Sequence, residues 1–350
     1  MTMKNVLTLC LICLLLLGIV ATVSAQNKRV GTAAAPELLI PVGARDFAMG
    51  GATVAVSQGI EAIHWNPAGL SRSSHSAEAM FSTMSYIADI SVQYGAVSGS
   101  FGQFGSLALS IKSLSIGDIL ITSADDPDGL GGRIFSPTYV TIGFSYARAL
   151  TDAIAAGVSV KLVTEQIHRV SASGVAFDFG VQYEKLAGIA GLSVGVAIKN
   201  IGTAMRFDGS GLIRDAIASD AKRPEQKYKS DAASFELPSV IEIGLAYHRT
   251  IAENLSGTVS GAFMSNNLFL DEYHVGGELG YTLGSVRLFG RAGVATIPKN
   301  QNDEQEDVFG ACFGGGLSTS AEGIDMTIDY AYRSAQFFDA NHVFSVKFGF

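Results

Sequence analysis

Few residues in this chain have both the type and the spacing to do chemistry, and the best of them crowd into residues 41–70, PVGARDFAMGGATVAVSQGIEAIHWNPAGL. Arg45 and Asp46 are adjacent opposite charges in a run of small residues with a Gly50-Gly51 pair and an Asn66-Pro67 turn at its end. Charges held inside a protein must be paired, so Arg45 and Asp46 can hold or release this segment against a charged wall. The plainer reading of the pair is a solvated turn. Asn66-Pro67 reads either as a gate or, more simply, as a fixed turn that returns the chain, since both residues are ordinary turn formers.

The remaining constellations are weaker. Asp125, Asp126 and Asp128 before Gly129 hint at a calcium loop, but the full spacing and the closing glutamate are missing, which favours a solvated acidic loop. Asp303, Glu304, Glu306 and Asp307 read the same way. The six histidines are scattered without ligand-pair spacing, so no metal site is expected. No Gly-x-Ser-x-Gly, His-Glu-x-x-His, Gly-x-Gly-x-x-Gly or phosphate-loop motif occurs. The reading is therefore not an enzyme, with no catalytic residue and no cofactor. A net charge of −8 argues against a nucleic-acid surface.

The elements around these residues come next. Residues 1–25 read as a cleaved signal peptide, with Lys4 as the positive end, an apolar core over residues 6–20 and a small-residue site at Val23-Ser24-Ala25. Its removal leaves Cys312 as the last thiol, so an exported chain would carry no internal disulfide. Mean hydropathy is +0.30. Yet beyond the signal no apolar run reaches the length of a membrane helix. Apolarity spread over every second position is the composition of a transmembrane β-barrel.

From residue 77 onward the period is two. Val140, Ile142, Phe144 and Tyr146 share one face and Thr141, Gly143, Ser145 and Ala147 the other. Met326, Ile328, Tyr330 and Tyr332 alternate in the same way with Thr327, Asp329, Ala331 and Arg333. About fourteen such strands are expected, near 79–86, 90–99, 104–114, 138–148, 153–165, 174–184, 191–199, 237–248, 254–264, 272–282, 285–295, 308–318, 324–333 and 341–350. Their polar faces carry Lys112, Lys161, Asp178, Glu184, Glu242, Glu278, Arg287, Arg291, Asp329 and Arg333, the candidate partners for Arg45 and Asp46. All the long connections (115–137, 200–236, 296–307) fall at one end of the strands, as in barrels with short periplasmic turns and long outer loops. Phe344, Val346, Phe348 and Phe350 alternate up to a terminal aromatic. That is the pattern of a last strand that closes the barrel and signals to the insertion machinery. A soluble protein would avoid so apolar an open edge.

The domain reading is a signal peptide over 1–25, a leader and hatch over 26–76, and an all-β, antiparallel transmembrane barrel over 77–350. GARDFAMGGATVAVS followed by WNPAGL resembles the start of PorV/PorQ-type proteins, relatives of the FadL long-chain fatty-acid transporters. SYARALTDAIAAGVSVKLV, GLSVGVAIKNIGTAMRFDG and LPSVIEIGLAY resemble later blocks of the same family, so the resemblance covers most of the chain. It implies a bacterial outer-membrane barrel with an N-terminal hatch that meets lipid. It also implies one of two jobs, with a purely structural barrel as the weaker third reading. The first is binding secreted cargo proteins, with other secretion components, in type IX secretion. The alternative is transport of long-chain fatty acids or another hydrophobic small molecule. The interior face reads as mostly small and polar, which favours the first. Lys227 and Lys229, with Lys222 and Arg223, add a basic patch to the longest loop that can meet an acidic partner, bind lipopolysaccharide or remain a solvated loop.

Overall fold

Strict alternation over ten or so residues buries one face of a strand and leaves the other in an apolar medium, and fourteen such segments close on themselves here. The computed structural model describes residues 31–217, 224–297 and 307–350. The expected signal peptide lies outside the described residues, as do Lys222, Arg223, Asp303, Glu304 and Glu306.

The wall comprises β1 (Ala77–Ser85), β2 (Ser91–Ser100), β3 (Ser106–Ser115), β4 (Thr138–Ala149), β5 (Ile154–Ile167), β6 (Val170–Glu184) and β7 (Leu192–Gly202). It continues with β8 (Val240–Ala252), β9 (Leu255–Asn266), β10 (Glu272–Leu283), β11 (Val286–Thr296), β12 (Phe309–Ala321), β13 (Ile324–Ala335) and β14 (Asn341–Gly349). The fourteen form one closed barrel in sequence order. Every neighbouring pair is antiparallel, and β1 meets β14 through Glu78↔Gly349 to Ser85↔His342. Closure removes the edge that Phe344 to Phe350 would otherwise leave open.

Side chains sort by parity. In β4, Ile142 and Phe144 are exposed on the outer surface while Thr141, Ser145 and Ala147 are buried. Strands of 9 to 15 residues suffice to cross a bilayer at a tilt. Among the described residues no helix is long and apolar enough to cross a membrane.

Several strands run further than alternation of apolar residues suggests. β6 starts at Val170, not at 174, and reaches β5 through the two-residue turn His168-Arg169. Its extra residues Ser171 and Ser173 are exposed and polar, so the apolar signal stops while the hydrogen-bond ladder continues. The long loops contain short ribbons of their own, Ile119–Leu120 with Ile134–Phe135, Met205–Arg206 with Ser234–Phe235, and Ile213–Ala216 with Gln226–Lys229.

Candidate functional site

Residues 34–76 run along the inside of the wall from one end to the other. At the long-loop end Ala34 N donates to Glu236 O at 2.9 Å. A 3-10 turn (Pro36–Leu39) leads to α1 (Ala44–Ala48), which packs on β11 to β14. A second turn (Gly59–Glu61), α2 (Ala62–Trp65) and a 3-10 helix (Pro67–Arg72) follow, the last against β3 to β6. At the short-turn end Ser76 N donates to Phe350 O at 2.7 Å, and β1 begins.

The structure brings Arg45 and Asp46 to three of the wall charges named from sequence. Arg45 forks onto Glu278, Nε to Oε2 at 3.1 Å and Nη2 to Oε1 at 3.3 Å. Arg291 reaches the same carboxylate at 2.6 Å and Asp329 at 2.5 Å. Asp46, 1% exposed, takes Arg45 Nη1 at 3.2 Å and the Ser57 hydroxyl at 2.5 Å. These groups are buried and paired, not a solvated turn. Burial pushes the Asp46 carboxyl up to about 6, against the pull of Arg45 and Ser57. Burial alone would lower Arg45, but Glu278, Asp46 and Glu61 outweigh it and raise it well above its ordinary value. Below this cluster Lys347 holds Glu61 at 2.9 Å, and Arg72 meets Glu184 at 3.1 Å.

Gly50 and Gly51 sit at φ 64° and 76°, where a side chain is strained, and a Cβ on Gly50 would lie 2.6 Å from Val294 N. The wall answers with glycines at its own points of contact. A Cβ would come within 2.1 Å of Val54 O at Gly195 and 2.2 Å of Met49 O at Gly276. Part of the glycine content therefore seats the inner segment. Asn66 is fully buried and fixed: its carboxamide donates to Val54 O at 2.7 Å and to Val181 O at 3.2 Å, and Oδ1 accepts from Ala68 N at 3.2 Å. Asn66-Pro67 thus starts a 3-10 helix and does more than turn the chain.

The other half of the lumen is more apolar than the sequence reading held. Val42, Ile60, Ile63 and Leu70 of the inner segment cover Met80, Tyr94, Ala96 and Ala108 of β1 to β3. A second cluster joins Ile40 and Phe47 to Met84, Val92 and Leu114. The two faces match, apolar on apolar and charge on charge. Near the long-loop end the fastening changes. Glu37 is 2% exposed, and its carboxyl meets that of Glu165 with no cation among the described residues on either oxygen. Burial, then the neighbouring Glu165, push it up to about 8.

Lys347, Glu61, Glu78 and Arg72 were not singled out from sequence. Parity marks two of them: Ser345 and Lys347 take the inward positions between Phe344, Val346, Phe348 and Phe350, and Glu78 shares the inward face of β1 with Met80. Phe344, Phe348 and Phe350 face outward. Asp126 uses its carboxylate on Leu130 N and Gly131 N, and no metal-binding cluster occurs among the described residues. In the longest loop Lys227 is paired with Asp215 and Lys229 with Asp208, so those two lysines are neutralised within the loop.

A closed antiparallel barrel with an apolar outer face and loops long at one end defines a membrane β-barrel. The chain belongs to the PorV family: the model for the type IX secretion system protein PorV matches residues 23–219. Solved structures with a similar fold include the CymD monoaromatic hydrocarbon channel, at 12% identity over 89% of this chain and 98% of that one, TM-score 0.57. The Ralstonia pickettii toluene transporter TbuX is similar at 14% identity over 89% and 98%, TM-score 0.56. A Pseudomonas aeruginosa FadL homologue is similar at 9% identity over 88% and 98%, TM-score 0.51. No curated protein sequence matches the chain.

Proposed function

We propose that this protein works in the outer membrane as an adaptor of type IX secretion, with residues 34–76 as a hatch that fills the barrel and the long loops as the surface that holds a secreted protein. The filled lumen carries this reading. The apolar lumen residues of β1 to β3 are covered by the segment's own side chains. A cavity between segment and wall, lined by Leu38, Ile63 and His64 on one side and Lys112, Thr141 and Lys161 on the other, holds only about 30 Å³. Pockets for small organic ligands run to roughly 300 Å³ or more and are mostly apolar. The loops, in contrast, expose Leu120, Leu130 and Ile134 between β3 and β4, and Ile213, Tyr228 and Phe235 between β7 and β8. The terminal aromatic Phe350, on a closed last strand, would serve as the assembly signal.

A second reading is carriage of a small hydrophobic molecule. It is favoured by a pocket of about 270 Å³ at the long-loop end, where Val294, Phe309 and Ala335 meet Thr296 and Gln336. The β11–β12 pairing stops below it, at Gly293↔Cys312. Native mass spectrometry of protein extracted from its own membrane in mild detergent separates the two readings. A bound protein at fixed ratio, lost when residues 203–236 are shortened, supports the adaptor. A bound apolar small molecule without a protein partner overturns it in favour of carriage.

A further inference from the structure

The small chamber between the inner segment and the wall has a chemistry of its own. His64 of α2 closes it on one side, and Tyr94, Lys112, Thr141, Lys161 and Asp178 of β2 to β6 line the other. Its volume, about 30 Å³, suits a single small ion or a water or two. Its only carboxylate is already engaged. Asp178 binds Lys161 at 2.7 Å and takes the backbone N–H of Asn200 at 2.8 Å. Lys112 has no such partner: it donates to the Glu37 carbonyl at 2.7 Å and to the Ile40 carbonyl, and no carboxylate among the described residues lies within ion-pair distance of it.

Two buried hydroxyls face the same space. Tyr94 is 5% exposed and Thr141 6%; Thr141 Oγ1 has no hydrogen-bond partner among the described residues, and the Tyr94 hydroxyl has the Ser110 hydroxyl beside it. A buried polar group left unpaired is costly, so Thr141, with the Tyr94 hydroxyl beside it, suits a ligand that accepts hydrogen bonds. The surroundings are electropositive. Burial, then Lys112, Lys199 and Lys161, hold His64 well below the ordinary histidine range.

We propose that this chamber binds one monovalent anion of halide size, held by the Lys112 ammonium and by the Tyr94 and Thr141 hydroxyls. The balance of charge selects the ligand: Lys112 and Lys161 against Asp178 leave one positive charge to be met while the Glu37 carboxyl near Lys112 keeps its proton. Because His64, Leu38 and Ile63 of the segment and the strands of the wall share the chamber, the anion ties one to the other. A ligand that binds only the docked arrangement stabilises it by mass action.

The test uses the full-length protein. Crystals soaked in bromide should give an anomalous difference peak in the chamber, in contact with Lys112 Nζ and Thr141 Oγ1. In detergent, replacing gluconate by chloride at equal ionic strength should raise the melting midpoint by roughly 2–4 °C. The double variant Tyr94→Phe with Thr141→Val should keep the fold and lose most of that shift. No bromide peak in the chamber, with ordered water in its place, overturns the proposal whether or not the variant folds. So does a chloride shift of the same size in a folded double variant.

Discussion

The inner segment is fastened in two different ways along its length. From Arg45 to Arg72 every buried charge described above has a charged partner within hydrogen-bond reach, and the backbone rests on glycines of the wall. At residues 34–40, near the long loops, the fastening is a pair of carboxyls, Glu37 and Glu165, with Lys112 on the Glu37 backbone carbonyl. Matched pairs hold across a wide pH range once the Asp46 carboxyl, raised to about 6, has ionised beside Arg45. A buried carboxyl set against a second carboxyl contributes only while it keeps its proton. The two stretches should therefore respond differently to mutation and to pH.

The largest effect should come from Arg45→Met. It strips the cation from between Glu278 and Asp46 and leaves a buried carboxylate underpaired, which costs about 3–5 kcal/mol. Urea unfolding in detergent, followed by the fluorescence of Trp65, reads this directly, since Trp65 is the one tryptophan and sits in the segment. Gly276→Val comes next. Its Cβ would press on Met49 O, and overpacking of this kind costs about 1–3 kcal/mol. Gly290→Ala, at a site with open space, should be close to neutral in the same assay. Asn66→Ala should cost about 1–2 kcal/mol, through the lost bonds to Val54 O and Ala68 N.

The smallest and most selective effect belongs to Glu37→Gln. The Glu37 carboxyl is raised from 4.5 to about 8 when the segment is docked. Docking therefore gains from it fully below about 4.5, and the gain is lost as pH rises through about 8. The parent should lose protection of residues 34–40 from protease between pH 5 and pH 8.5. The Gln variant, which cannot ionise at this position, should lose clearly less protection over that range.

Alternation of residue types carried the number of strands, their parity and the end at which the long loops gather, because a bilayer outside and a packed polar interior impose the period at nearly every position. The same rule failed where the outer face is wet, as at Ser171 and Ser173, and in the loop ribbons, whose two- and four-residue strands are too short to show a period. In the lumen, parity alone placed Glu278, Arg291 and Asp329 correctly as inward charges. It did not single out which of ten such residues would meet Arg45, because that depends on where the segment crosses the barrel. Lys347 and Glu78 were legible by parity once β14 and β1 were aligned as neighbours. The matching of apolar to apolar on the β1 to β3 side was not legible, since Met80, Tyr94 and Ala96 occupy inward positions that look no different in sequence from lipid-facing ones.

Backbone hydrogen exchange of the full chain in mild detergent, compared at pH 7 and pH 8.5 after correction for intrinsic rates, tests the two-way fastening most directly. The expected result is that amides of residues 44–72 exchange as slowly as those of the wall strands at both pH values, while those of residues 34–40 lose protection at the higher pH. Equal loss of protection along the whole segment, or rapid exchange of residues 44–72 at both pH values, would contradict it.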